Sequence, residues 1–317
     1  MVVCGFWHGK LLLIENMSAL IQMFVLFSIV VIGFFSGRIG LIDIEFCRKL
    51  SKLIINLTCP CLILSSTMGG VLPDRTLILP LLGISVITYL FLLLLAYSIP
   101  RFMSVKSEER GIYSFMLAFG NVGFIGYPVV SGIFGPEAVF YASVLNMINT
   151  ICVFVWGVRF VAGVQQGVFK WRSLFSPALI ATYLSIIIVA LGWQAPRMVA
   201  EPLILIGAIT VPGSLLIIGN SINNIPLHRM VGSPILYFMT FMRLLVFPLL
   251  ILYVFRFFGF DSLAVDINTM IIAMPVASFG TMFCLRYGKD DTLMTQGTFI
   301  STLFSLLSIP FLTMLVD

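Results

Sequence analysis

Ten apolar runs, each about long enough for one membrane crossing, occupy most of this chain and leave only short polar joints between them. A hydrocarbon core about 30 Å thick takes about 20 helical residues to cross. Inside it no water replaces a lost peptide hydrogen bond, so each run has to satisfy its own backbone as a helix. The runs fall roughly at 17–36, 50–67, 76–98, 111–135, 138–160, 174–192, 201–221, 232–255, 267–287 and 293–315. An all-α integral membrane protein with ten transmembrane helices is the expectation.

Charge is scarce enough to exclude other classes. Ten per cent of residues are charged and 60% are hydrophobic, with a mean hydropathy of +1.12. Soluble domains carry about 25% charged residues. No stretch is left over for a soluble catalytic domain. The net charge of +5 does not point to nucleic acid, because the basic residues sit in short loops. With the N-terminus outside, inner loops hold Arg38, Arg48, Lys49, Lys52, Arg101, Lys106, Arg110, Arg159, Lys170, Arg172, Arg229, Arg286 and Lys289. Outer segments hold only Lys10, Arg75, Arg197 and Arg256, a positive-inside bias of 13 to 4 that places both termini outside.

Residues 1–16 do not fit a signal peptide, since their apolar core is short and lacks a small-residue cleavage site; Met17 is an alternative start. Six cysteines and two histidines have no metal-ligand spacing, and no disulfide framework is expected. There is no nucleophile elbow, Walker loop or His-based triad, so the chain is not expected to be an enzyme or to need a cofactor.

Within the fourth run, Phe119-Gly-Asn-Val-Gly-Phe-Ile-Gly-Tyr-Pro128 combines three glycines, an asparagine and a proline. Gly costs a helix interior about 1 kcal/mol and Pro about 3 kcal/mol relative to Ala. Such a break survives in lipid only where protein buries it or it lines a cavity. A constant offset of 152 lays Gly40 on Gly192, Thr58 on Thr210 and Pro60 on Pro212, and sets the fourth-run break against Met274-Pro-Val-Ala-Ser-Phe-Gly280. The halves 17–160 and 174–317, joined by a cytoplasmic linker at 161–173, then form two five-helix repeats. An odd number of spans inverts the second. Two broken helices running in opposite directions can cross at their breaks and aim two helix N-termini, each with about half a positive charge, at one point. An anion there is the functional expectation; close packing of helices at small residues is the other reading.

Candidate contacts follow from the breaks. Asn121 and Gly123 sit in the first, and Pro128 closes it; Pro275 and Ser278 mark the second. Asn56 and Thr58 precede Pro60, and Asn146 and Asn149 lie near the middle of the fifth run. Each buried amide or hydroxyl can be a ligand contact or interhelical glue. Arg243 is the one charge deep in a span. It either draws an anion or pairs with helix-end carbonyls. All 13 carboxylates fall in loops or near span ends. That disfavours a carboxylate proton relay and leaves Na+ or H+ coupling open.

These motifs resemble the auxin efflux carrier family in its short prokaryotic form, within the superfamily fold of the bile acid/sodium symporters. The residues that carry the resemblance are Asn56-Leu-Thr-Cys-Pro60, Gly120-Asn-Val-Gly-Phe-Ile-Gly-Tyr-Pro128, Pro212-Gly-Ser-Leu-Leu-Ile-Ile-Gly219, Arg243-Leu-Leu-Val-Phe-Pro248, Met274-Pro275 and Arg286-Tyr-Gly-Lys-Asp290. The resemblance implies a scaffold of spans 1, 2, 6 and 7, a transport core from the rest, a crossover of spans 4 and 9 at their prolines, and a homodimer in a prokaryotic cytoplasmic membrane. It implies a carrier of organic anions such as auxin, malate or malonate. The chain lacks the long central loop of plant members, and reads Ser278-Phe279 where many relatives have an Asn after the ninth-span proline. A carrier of a neutral solute, or a receptor that kept the fold without transport, are the alternatives.

Overall fold

A computed structural model describes residue 21 and residues 24–68, 72–103, 105–163, 175–223 and 232–316. Residues 1–16 and most of the 161–173 linker lie outside the described residues. Among those described every regular element is helical, and strand-like pairing is confined to one antiparallel bridge between Gly120 and Val276.

In chain order the helices are α1 (Phe24–Arg38), α2 (Ile44–Leu53), α3 (Cys59–Ser65), α4 (Ile78–Phe102), α5 (Ser107–Ala118), α6 (Tyr127–Phe134), α7 (Ala138–Cys152) and α8 (Val158–Ala162). They continue with α9 (Pro177–Leu191), α10 (Arg197–Ala208), α11 (Thr210–Asn223), α12 (Pro234–Phe241), α13 (Phe247–Phe257), α14 (Ser262–Ile272), α15 (Phe279–Arg286) and α16 (Thr292–Thr313). Among the described residues, five continuous stretches are long and apolar enough to cross a membrane: Arg75–Phe102, Ala138–Ala162, Arg197–Asn220, Pro234–Phe257 and Thr292–Thr313. Even the 22-residue stretch spans about 33 Å at 1.5 Å per residue. Exposed Leu79, Leu90, Leu94, Leu205, Phe257 and Leu307 give these helices apolar outer faces suited to lipid.

Three prolines are accommodated without ending the helical run. Pro60, Pro128 and Pro248 each stand second in a helix that directly follows a five-residue π turn: Ile54–Thr58, Val122–Gly126 and Met242–Val246. Proline offers no N–H, and its ring collides with the carbonyl four residues back. The amide just before each proline instead reaches back five residues, Cys59 to Ile54, Tyr127 to Val122 and Phe247 to Met242. Widening the turn makes room for the ring and keeps the chain helical.

Two helices begin earlier than the apolar pattern suggests. α2 starts at Ile44, where Asp43 Oδ1 accepts from Phe46 N at 2.6 Å. None of its residues is buried, and Glu45 pairs with Lys49 on the surface. This is an amphipathic lead-in to the second span, whose charges hide it from a hydropathy reading. α14 starts at Ser262, capped by Asp261, rather than near 267. Asp266 therefore lies within a helix, 1% exposed, 2.9 Å from Arg256 Nη2 at the end of α13. The expectation that every carboxylate sits in a loop or near a span end is corrected here. Asp266 is buried because a cation from the preceding helix accompanies it.

Helices α1 and α11 approach at paired glycines. A Cβ on Gly33 would fall 2.5 Å from the Leu216 carbonyl oxygen, and one on Gly219 would overlap the Val30 carbonyl. Backbone cannot yield as a flexible side chain can, so this crossing admits no side chain on either glycine. Gly83, on the outer face of α4, has nothing within 4 Å of the same position. Gly219→Leu should cost about 1–3 kcal/mol or more by overpacking. Gly83→Ala should be neutral or stabilise by up to about 1 kcal/mol. Thermal unfolding of the purified protein in detergent checks both, and equal melting temperatures for the two variants would contradict this packing.

Candidate functional site

The site forms where two helical stretches stop and restart. α5 ends at Ala118, Phe119 is extended (φ −119°, ψ 123°), and the π turn leading into α6 begins at Val122. α14 ends at Ile272 and α15 begins at Phe279. The two unwound segments pair with each other. Asn121 N donates to Pro275 O at 2.7 Å, and Ala277 N donates to Phe119 O at 3.0 Å. Val276 N donates to Ser301 Oγ on α16 at 3.0 Å. Peptide groups released by one break are satisfied by the other, as a low-dielectric interior demands.

Arg243 holds the opposite poles of the same breaks. Its Nη1 donates to Leu117 O at 3.0 Å and Ala118 O at 3.2 Å, and its Nε donates to Met274 O at 3.3 Å. These carbonyls stand at the C-terminal ends of α5 and α14, where each helix carries about half a negative charge. The guanidinium is 1% exposed, and its Nη2 has no hydrogen-bond partner among the described residues. That nitrogen lies against Gly120, where a Cβ would overlap it. Gly120 is thus fixed by the arginine as much as by the break. Of the two readings of Arg243, the contacts seen are those with helix-end carbonyls.

Beside the two unwound segments lies a cavity of about 360 Å³. Asn121, Phe124 and Ile125 line it from the first break, and Ser278 and Thr281 from the second. Thr295, Thr298, Phe299 and Thr302 line it from α16, and Ser51, Ile217 and Ile218 close it from α2 and α11. Among the described residues, the lining carries hydroxyls, one amide and apolar side chains, with no charged group. Asn121 caps the restarted helix, its Oδ1 accepting from Phe124 N at 3.4 Å, and its Nδ2 donates to Ser278 Oγ at 3.3 Å. The restarts at Val122 and Phe279 are both helix N-termini. The positive poles of two helices therefore stand beside the cavity while the negative poles are bound to Arg243.

The other residues expected from the sequence are spread more widely. Gly123 stands in open space beside Asn121, with nothing within 4 Å of a Cβ. Pro128 is buried one residue into α6, and Pro275 contributes its carbonyl. Thr58 is 1% exposed and its Oγ1 accepts from Thr210 Oγ1 at 2.9 Å. Asn56 is exposed away from the cavity, its amide donating to Lys52 O at 2.8 Å along its own helix. Asn146 donates to Tyr127 Oη at 2.9 Å and accepts from Asn149 Nδ2 at 2.8 Å, joining α7 to α6. The threonines of α16 were missed. Their 3–4 spacing at 295, 298 and 302 on one helix face was the signal available.

Arg243→Gln should lower stability by about 3 kcal/mol, since charge-assisted hydrogen bonds are worth about 1.5–3 kcal/mol each. Arg243→Lys should not restore it, because an ammonium lacks the planar fork that reaches both helix ends. Thermal unfolding and folded yield read this. A Gln variant as stable as the parent, but with altered ligand affinity, would make Arg243 a ligand contact instead.

Residues 18–170 and 163–313 match the family described as membrane transport protein. An uncharacterized transporter of Methanocaldococcus jannaschii is 27% identical over 296 residues, covering 90% of this chain and 94% of the relative. An uncharacterized transporter of Methanothermobacter thermautotrophicus is 26% identical over 288 residues, covering 89% and 93%. With a helical scaffold of apolar outer faces and family matches over both halves, the chain is a multi-pass membrane protein that belongs to the membrane transport protein family, the auxin efflux carrier family its motifs resemble.

Proposed function

We propose that the protein is a secondary carrier of a small organic anion, working by alternating access in a prokaryotic cytoplasmic membrane. The observation that carries this reading is the split polarity of the crossing. Two C-terminal helix poles amount to about one negative charge, which the Arg243 guanidinium offsets. Two N-terminal poles amount to about one positive charge and adjoin the cavity at Asn121 and Ser278. The best-matched ligand group is a carboxylate, donated to by Asn121 Nδ2 and the hydroxyl of Ser278. The rest of the ligand meets Phe124, Ile217, Ile218 and Phe299 on one wall and threonine hydroxyls on another.

In this reading the chain has ten spans in two inverted repeats, with spans 4 and 9 as the broken, crossing pair. Three observations support it. Thr58 and Thr210, 152 residues apart, hydrogen-bond to each other, as equivalent residues beside a two-fold axis would. Gly40 and Gly192, at the same offset, both have positive φ, 76° and 64°. The antiparallel bridge at Gly120 and Val276 is the pairing that two oppositely directed breaks would make. With the basic loops inside and both termini outside, the cavity opens toward the cytoplasm. The carrier is a homodimer surrounded by lipid, coupled to Na+ or H+ and needing no cofactor.

A second reading, a neutral solute, is favoured by the uncharged lining. The hydroxyls of Thr298 and Thr302 donate to Met294 O at 2.9 Å and Thr298 O at 2.7 Å, so they present lone pairs to the cavity. Such a wall suits ligand donors such as hydroxyl groups.

Uptake into proteoliposomes, with malate, malonate and indole-3-acetate and with imposed Na+ or H+ gradients, separates the readings. Saturable flux with counterflow is expected for a carboxylate. Asn121→Ala should lower transport efficiency about tenfold, the worth of one hydrogen bond of about 1.4 kcal/mol, without loss of folded yield. Flux of uncharged solutes alone would favour the second reading, and binding without flux would make the protein a receptor.

A further inference from the structure

The cavity offers donors on one wall and acceptors on another. At the crossing, Asn121 Oδ1 is occupied by Phe124 N, and Ser278 Oγ accepts from Asn121 Nδ2. The second amide proton of Asn121 and the hydroxyl proton of Ser278 remain to donate. On α16 the protons are already engaged. Thr298 Oγ1 donates to Met294 O at 2.9 Å, and Thr302 Oγ1 donates to Thr298 O at 2.7 Å. A threonine hydroxyl has a single proton, so these two have only lone pairs left for a ligand. A carboxylate brings no proton to them, whereas a hydroxyl does.

The acceptors stand close to the donors. Ser301, between Thr298 and Thr302 on α16, accepts through Oγ from Val276 N at 3.0 Å, two residues before Ser278. That bond pins α16 to the second break and sets the level of both threonines. Thr298 and Thr302 lie about one turn apart, roughly 6 Å along the axis. A hydroxyl that meets them while its carboxylate is held at Ser278 sits on the carbon next to the carboxyl group or on the one after.

Charge limits the rest of the ligand. Two helix N-termini offset about one negative charge, and none of the described lining residues is charged. A second carboxylate would leave water with no described cation to meet it, and an ammonium group would find no anion. Phe124, Ile217, Ile218 and Phe299 suit a short hydrocarbon chain instead.

We infer that the site takes a short monocarboxylate with a hydroxyl on its α- or β-carbon, and that Thr298 and Thr302 determine this specificity by accepting from that hydroxyl. This rests on the organic-anion reading above and narrows it to hydroxy acids of one charge, against dicarboxylates.

The test compares uptake of 2-hydroxybutyrate, 3-hydroxybutyrate, butyrate and succinate into proteoliposomes at about pH 7.5, where both succinate carboxyls are ionised. The full chain is used, with Thr298→Val and Thr302→Val as variants that keep the side-chain shape and remove the hydroxyl. At least one hydroxy acid should be carried about tenfold more efficiently than butyrate, the effect of one hydrogen bond. Succinate should fall below that acid by roughly tenfold or more. Each valine variant should lower the ratio of hydroxy acid to butyrate transport, a change that a packing defect alone would not make. Three results overturn the inference and leave the carrier reading standing: equal transport of hydroxy acids and butyrate, succinate carried as well as the hydroxy acids, or valine variants that lower all four acids by the same factor. Stabilisation of the purified protein by the same four acids is measured in parallel. A hydroxyl preference in binding that valine removes, without flux, upholds the inference and overturns the carrier reading. Neither flux nor stabilisation with any of the four overturns the inference, while flux of malate, malonate or indole-3-acetate would still uphold the carrier reading.

Discussion

The structure depends on the exchange of hydrogen bonds between two interrupted helices. A helix that stops inside a membrane protein strands carbonyls at one end and amides at the other, and lipid offers nothing to either. Here the unwound residues Phe119 and Asn121 bond with Ala277 and Pro275, and Arg243 gathers the remaining carbonyls at Leu117, Ala118 and Met274. Neither break is tenable without the other. The low cost of unwinding at Gly120 and Pro275 is a local property, but the satisfaction of what is unwound is a long-range one, more than 150 residues apart in the chain.

That arrangement sorts charge as well as hydrogen bonds. Negative helix poles meet a cation buried at 1% exposure, and positive poles adjoin a cavity. Had Arg243 faced the cavity, the four poles would have partly cancelled around it, and the α5 and α14 carbonyls would have been left without their donor. A buried arginine is costly in isolation. Bonded to three carbonyls and seated on Gly120, it is held by geometry that a lysine could not reproduce.

Features governed by local chemistry were legible in the sequence. Gly and Pro in an apolar run mark 119–128 and 274–280 as places where a helix fails, whatever surrounds them. Asn121 and Ser278 could be named as candidates because they sit in those breaks, and the structure brings both to the cavity. Features fixed by remote partners were not legible. Nothing near Arg243 in the chain announces Leu117 or Met274 as its acceptors. Asn56 beside Pro60 looks like a site residue until rotation about its helix is known; the amide then points outward to Lys52 O. The start of α2 was obscured by Glu45, Arg48, Lys49 and Lys52, charges that an interfacial helix carries and a hydropathy window rejects. Asp266 needed α13 folded back to supply Arg256 before its burial made sense.

An uncharged lining has a consequence for movement. If a cavity carried a lysine or an aspartate, closing it without ligand would strip a full charge of water at a cost of several kcal/mol. Helix poles are partial charges spread over several peptide groups, and each terminus already has local partners, such as Asn121 Oδ1 on Phe124 N. Threonine hydroxyls bonded back to their own helix at Thr298 and Thr302 are likewise half satisfied before any ligand arrives. On the carrier reading proposed above, a site built this way would close empty at modest cost and still discriminate for charge when filled. A carrier that must return unloaded, or trade one solute for another, requires that combination.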